Sequence, residues 1–339
     1  MAEGWEHRRA CRYLELDEGR AWRWRRRRDA DCLGDRKPGS AVHGLRPEEV
    51  TAILDLFERW GEIDRSHRKL AHRGSYIGSV WVSPATVRRV LAAHGLVLKR
   101  PRRRVRSHRR PFPEWADYKR NSIWIYDVTH FAGCPQHAAF AVMDLVTRKW
   151  ITELVSVEET STQVQVLFMD ALEREGLLAL IEARMDEPPV DPLSFTAQDE
   201  LAPVLLAVSD NGPQMRSGST REFMAMCAIA QHFGRPGTPT DQAWIESLFG
   251  HIKAEWPHLE RIKDPEVLRA ELAVVRHQYN TVRLHAGIGY VTPDDEHDGR
   301  GEKIRAARKR GLRQARWARI AYHRSRNAKA NRRNPTDPD

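Results

Sequence analysis

Three acidic residues stand where they could do chemistry: Asp127 in IWIYDVTHF, Asp210 in LLAVSDNGPQ and Glu246 in TPTDQAWIESLFGHIKAE. The first two each close an apolar run of strand character. The third, 36 positions beyond Asp210, sits in a segment of helical periodicity. Together they form a set of hard oxygen donors, which suits two Mg²⁺ ions, or Mn²⁺ as a substitute, and displacement at a phosphodiester. Each acid also has a plainer reading. Asp-Asn-Gly is strong turn chemistry on its own, Asp127 is a polar residue at a strand end, and Glu246 is an acid on an exposed helix face. Asn211 is placed to orient the Asp210 loop.

The elements that must position these residues are legible in the surrounding pattern. Residues 123–129, 138–146 and 150–155 read as strands, the last two joined by Thr147-Arg148-Lys149. Residues 160–180 read as an amphipathic helix and residues 186–203 as an acidic, proline-containing loop. Residues 204–208 form an unbroken apolar run, as expected of a strand covered on both faces. Helical segments follow at 222–227, 241–256 and 265–281. If the first and fourth strands lie side by side and parallel, the two aspartates face one another at the rim of the sheet.

At 100° per residue, Trp244, Ile245, Leu248, Phe249 and Ile252 fall within one arc, while Glu246, Gly250 and Lys253 share a stripe outside it. Glu246 therefore has beside it a glycine that clears space and a lysine able to hold a phosphate. Asp144 reads as a structural partner of the Arg148 turn, and Asp241 as a helix N-terminal residue favoured by the dipole. His130 and His251 fit substrate contact or packing, because metals for this chemistry prefer oxygen ligands.

The chain has 339 residues and a net charge of +10, unevenly spread. Residues 1–112 carry +13, residues 113–298 carry −14 and residues 299–339 carry +11. Two basic flanks around an acidic centre suggest arms that hold a polyanion while the centre acts on it. Four scattered cysteines with no C-x-x-C pair indicate neither a zinc site nor a disulfide framework. No apolar run approaches membrane-spanning length and no leader pattern opens the chain, so a cytoplasmic, nucleoid-associated protein with no membrane partner is expected.

Five segments follow. Residues 1–40 are a basic arm in which Trp22 and Trp24 lie among arginines, either a nucleic-acid grip or the two faces of a short helix. Residues 41–98 read as an all-α unit with a helix from Leu45, a break at Gly74 and Gly78, and a last helix opened by Ser83-Pro84. That last helix buries Val87, Val90 and Leu91 and exposes Arg88 and Arg89, the pattern of a helix-turn-helix whose second helix enters the major groove. An ordinary helical bundle is the alternative. Residues 99–113 form a linker in which Arg102, Arg103, Arg104, Arg109 and Arg110 would track a phosphate backbone. Residues 114–298 are the catalytic core. Residues 299–339 are an Arg-rich tail, helical in part.

The acid motifs together resemble the DDE transposases of bacterial insertion sequences, which share a core with retroviral-type integrases and carry D-x-T, S-D-N-G and a D-35-E spacing. Thr129 supplies the threonine of the first motif. The resemblance implies a ribonuclease H-like α/β core, a mixed five-stranded sheet flanked by helices, behind an N-terminal helix-turn-helix domain and basic arms. It implies that Asp127, Asp210 and Glu246 bind the metals and that Lys253 contacts the DNA end. Tyr279-Asn280, Arg283, His285, Gly289-Tyr290 and Thr292-Pro293 resemble the closing segment of the family, with Arg283 facing DNA and His285 in support. Gln242 and Leu284 depart from the common Asn and Pro.

The expected activity is Mg²⁺-dependent cleavage at transposon ends and transfer of the freed strand into target DNA by direct transesterification. The expected partners are terminal inverted repeats, target DNA, further copies of the chain assembled on DNA, and an upstream-frame helix-turn-helix protein. The alternatives are a ribonuclease H-like nuclease that cuts without joining, and a DNA-binding regulator derived from a transposase.

Overall fold

The computed structural model describes residues 7–29, 41–96, 118–185, 203–210, 212–233 and 243–333. The expected basic linker therefore lies outside the described residues, together with Arg102, Arg103, Arg104, Arg109, Arg110, Asn211, Asp241 and Gln242. The chain divides into two compact units, Met1–Gly44 with Arg319–Asp339, and Leu45–Ala318.

In the first unit, the helix Glu18–Asp29 has no buried residue. Trp22 and Trp24 stay exposed, with the Arg26 guanidinium over Trp22 and that of Arg20 over Trp24. Of the two sequence readings, the helix is present and the buried face is not.

The second unit begins with three helices: α1 (Pro47–Asp64), α2 (His67–Tyr76) and α3 (Pro84–Ala93). The caps explain their starts. The Glu49 carboxylate accepts from the Arg46 N–H, Ser66 Oγ from the Lys69 N–H, and Ser83 Oγ from the Thr86 N–H, with Pro84 in the first turn of α3. Ile53, Leu56, Leu70, Val80, Val87 and Leu91 form their core. The expected break at Gly74 does not occur, and α2 runs through it. A Cβ there would stand 2.9 Å from Leu56 Cδ1 and 2.9 Å from the Val80 carbonyl oxygen, so this glycine serves close packing. The chain breaks instead at Gly78, with φ at +73°.

The core sheet contains β1 (Ile123–His130), β2 (Ala138–Asp144), β3 (Trp150–Ser156), β4 (Leu205–Ser209) and β5 (Ile229–Phe233), in the order β3-β2-β1-β4-β5. β2 is antiparallel to both neighbours, whereas β1–β4 and β4–β5 are parallel. This is the mixed five-stranded order of the ribonuclease H-like fold. β2 stops at Asp144, short of the expected residue 146. The Asp144 carboxylate accepts from the N–H groups of Asn121 and Thr147 and from the Thr147 hydroxyl, fixing the turn into β3.

The sheet is covered on both faces. Alternation sends Ile123, Ile125, Leu206 and Val208 to one face, against α5 (Ala243–Glu255) and α6 (Pro265–Thr281). It sends Trp124, Tyr126, Leu205 and Ala207 to the other, against α4 (Ser161–Arg174). The single helix expected over 160–180 is two, because Gly176 at φ +67° ends the first before Leu178–Met185 begins. The Arg-rich end of the chain forms a long helix, α7 (Gly301–Arg333), whose residues up to Ala318 belong to this unit. Arg308 there is buried, donating to the carbonyls of Gly289 and Tyr290.

A buried ion pair ties α1 to α2. Arg73, 2% exposed, donates to both oxygens of Asp64, 1% exposed, and its guanidinium lies over Trp60. Removing one partner strands a buried charge, whereas removing both does not. Asp64→Ala should therefore lower unfolding free energy by about 3–5 kcal/mol, and the double variant Asp64→Leu/Arg73→Met should recover most of that loss in urea denaturation. Equal losses in the single and double variants would contradict this.

Candidate active site

Register brings the two aspartates together. The parallel pairing of β1 with β4 sets Ile125 opposite Val208. Asp127 and Asp210 each lie two residues farther along, so they occupy matching positions on adjacent strands, nominally about 4.8 Å apart. Alternation then turns both toward the face that carries α5, because Ile125 and Val208 already point there.

The third acid arrives on α5. Ile245, Leu248, Phe249 and Ile252 bury its inner arc against the sheet, and Glu246 in its first turn is exposed. Gly250, one turn on, would meet nothing within 4 Å if given a Cβ, so the space beside Glu246 is open.

The three carboxylates feel one another's charge. Burial pushes Asp127 up to about 7, and the negative charges of Asp210 and Glu246 push in the same direction, against the Val128 N–H that it accepts at 2.8 Å. Asp210 is held through one oxygen by the Gly212 N–H at 2.9 Å. Each aspartate thus has one oxygen fixed by backbone and the other free to bind. No group of three His, Cys, Asp or Glu among the described residues is drawn into a tight metal cage. Like charges with nothing between them spread apart, and a divalent cation is what relieves such repulsion. The donor chemistry, all carboxylate oxygen on one open rim, fits a hard divalent cation.

The remaining sequence candidates divide by burial. Lys253, on the Glu246 stripe, donates to the His130 carbonyl oxygen at 2.5 Å and lies 3.6 Å from Glu260. Glu260 in turn accepts from the Ala132 N–H. Thr129 is half-buried on the same strand face as Asp127. Arg88 and Arg89 are exposed on α3 and line a groove of about 590 Å³ with His67, Arg68 and Ser83.

Arg283 is 6% exposed and donates to both oxygens of Glu255, which holds its cation inside the fold. His285 accepts from the Gly287 N–H, and burial, with Arg283 and Arg148 nearby, drives it down to about 2, so it is a neutral imidazole. Asp144 is the structural partner of the β2–β3 turn that the sequence suggested. His130 pairs with Glu159 and His251 with Glu255.

Sequence reasoning missed Glu255. It is the last residue of the helix that carries Glu246, and it collects Arg283 at 2.9 Å and Lys69 at 3.9 Å. Its partners come from distant segments, so no local pattern marks it.

Residues 227–293 match the family model described as the integrase core domain. The chain carries an integrase core. A transposase for insertion sequence element IS904 from Lactococcus lactis subsp. lactis (strain IL1403) is 23% identical over 179 residues, which are 52% of this chain and 60% of that relative. The chain thus spans less than two-thirds of the relative's length.

Among solved structures, the catalytic core domain of BIV integrase aligns at 18% identity over 54% of this chain and 97% of that one, with a TM-score of 0.36. A simian T-cell lymphotropic virus intasome in complex with PP2A regulatory subunit B56 gamma aligns at 16% identity over 67% and 73%, with a TM-score of 0.40. The HTLV-2 integrase catalytic core domain in complex with magnesium aligns at 19% identity over 53% and 97%, with a TM-score of 0.36. No described helix is long and apolar enough to cross a membrane.

The raised Asp127 has a signature in stability. Between the ordinary carboxylate value and about 7, the folded integrase core holds a proton that the unfolded chain releases, so raising the pH favours unfolding. Relative to Asp127→Asn, the metal-free wild type should lose stability as pH rises through that window, at no more than about 1.4 kcal/mol per pH unit, and should level off above it. Denaturant midpoints measured from pH 4 to 9 test this, and a constant gap between the two proteins would contradict it.

Proposed function

We propose that the chain is the transposase of an insertion sequence, cutting DNA at the ends of the element and joining the freed 3′ ends to target DNA. The single observation that carries the reading is the electrostatic meeting of Asp127, Asp210 and Glu246 on one rim of the integrase core. Two divalent cations held by these acids, Mg²⁺ or Mn²⁺ as a substitute, would supply Lewis acidity to the attacking water or 3′-hydroxyl and to the departing 3′ oxygen.

The chain's own residues bind and orient. Asp127 and Asp210 present their free oxygens from adjacent strands, and Glu246 closes the set from α5. No side-chain nucleophile is required, so cleavage and joining proceed without a covalent protein–DNA link. Lys253 lies on the Glu246 stripe, where a released Glu260 contact would let its ammonium reach a phosphate of the DNA end. Exposed Arg88 and Arg89 give α3 the cationic face of a recognition helix, and the Arg-rich linker, outside the described residues, would track the backbone between the two. The acidic core, at −14 between basic flanks, fits a catalytic centre whose DNA is held by its neighbours. Joining two ends requires two active sites, so copies of the chain assemble on DNA, in the cytoplasm at the nucleoid. A helix-turn-helix protein from an upstream frame is a further partner.

Purified chain incubated with a labelled element-end duplex, a target plasmid and Mg²⁺ should give joined products. Cut but unjoined DNA would mark a nuclease, and a mobility shift alone a DNA-binding regulator. Asp127→Ala, Asp210→Ala and Glu246→Ala should each abolish cutting and joining while end binding in a gel shift persists. Joining that survives any one of these substitutions would refute the role of that residue.

A further inference from the structure

The helix α2 has two working faces. At its start, Arg68 lines the groove that also exposes Arg88 and Arg89 of α3. Its other side is bolted to the integrase core by a chain of polar contacts. Lys69 Nζ lies 3.9 Å from Glu255, the last residue of the helix that carries Glu246. The Arg73 guanidinium, already paired with Asp64, donates to the Val282 carbonyl at 2.7 Å. The Tyr76 hydroxyl donates to Asp295 at 2.6 Å, and Arg308 donates to Ser75 Oγ at 3.0 Å. His72 stacks on Tyr290 with ring centroids 4.2 Å apart and planes 15° from parallel.

We infer that this joint makes reading and cutting the work of one chain: the face of Arg68, Arg88 and Arg89 and the trio of Asp127, Asp210 and Glu246 act on the same DNA end, at an offset that α2 fixes. The inference rests on the proposed function, since it takes the first face as the reader and the second as the cutter. Its physical ground is the cost of the alternative. A helical unit that swung out to serve the core of another chain would break the Arg73–Val282 and Tyr76–Asp295 bonds and leave charged groups buried without partners. Lys69 and Tyr76 are then positioning residues, acting on the cut through Glu255 and Asp295 and touching no substrate themselves.

Two full-length variants, each disabled in one half, decide the matter. The probe is a duplex enriched by the wild-type chain from a randomised pool, labelled at both ends and supplied with Mg²⁺. Arg88→Ala/Arg89→Ala should lose binding to the duplex with its catalytic trio intact. Asp127→Asn should bind it and not cut. With reading and cutting in one chain, an equimolar mixture of the two should cut no more than either alone. Restoration of cutting in the mixture would overturn the proposal.

A second measurement follows the offset itself. Tyr76→Phe and Lys69→Met should bind the duplex as wild type does yet spread the cut over neighbouring phosphates, a change that loss of stability alone would not produce. A cut that stays at one phosphate in both variants would also overturn the proposal. Should Arg88→Ala/Arg89→Ala still bind and cut like wild type, the reading of α3 as the recognition helix fails instead, which is distinguishable and removes the premise.

Discussion

Parallel pairing of β1 with β4 is the constraint on which the rest of this molecule turns, because it sets two carboxylates side by side at the end of an apolar sheet. Ile125 opposite Val208 leaves Asp127 and Asp210 no other relation than neighbours on one face. That face is already committed to α5, whose buried arc of Ile245, Leu248, Phe249 and Ile252 turns Glu246 outward. The core thus spends hydrophobic burial, ~1.5–3 kcal/mol for each large aliphatic side chain, on holding three like charges within reach of one another. The strain appears where it should, in Asp127, whose proton is retained to about pH 7. Perturbed carboxylates gathered on an open rim are what a cation-dependent site requires before its cations arrive.

Around this site the fold keeps some cations in and leaves others out. Arg73, Arg283 and Arg308 are buried and spoken for, by Asp64, Glu255 and backbone carbonyls respectively. Arg88 and Arg89 remain exposed. The same residue type therefore serves as internal mortar in one place and as a surface for polyanions in another, and burial alone separates the two uses.

Much of this was legible in the sequence because its signals are local. Apolar runs ending in acid marked β1 and β4, Ser83-Pro84 marked the start of α3, and helical spacing separated Glu246 from the buried arc of α5. The parts that were not legible depend on distant partners. β5 is a short strand whose exposed residues show no alternation, and only its pairing with β4 defines it. Gly74 reads as a helix breaker until Leu56 and Val80 close over it. Arg283 reads as a surface charge until Glu255 comes to meet it. The Arg-rich end of the chain reads as a tail, yet Arg308 is buried against Gly289 and Tyr290.

The central claim is that three distant acids form one cation site, and binding of Mn²⁺ followed by electron paramagnetic resonance tests it without any DNA or turnover. The wild-type chain should take up Mn²⁺ saturably at neutral pH, and Asp127→Asn, Asp210→Asn and Glu246→Gln should each weaken that uptake, with added Mg²⁺ competing in every case. If any one of the three substitutions left Mn²⁺ binding unchanged, that acid would stand outside the site and the account would be wrong.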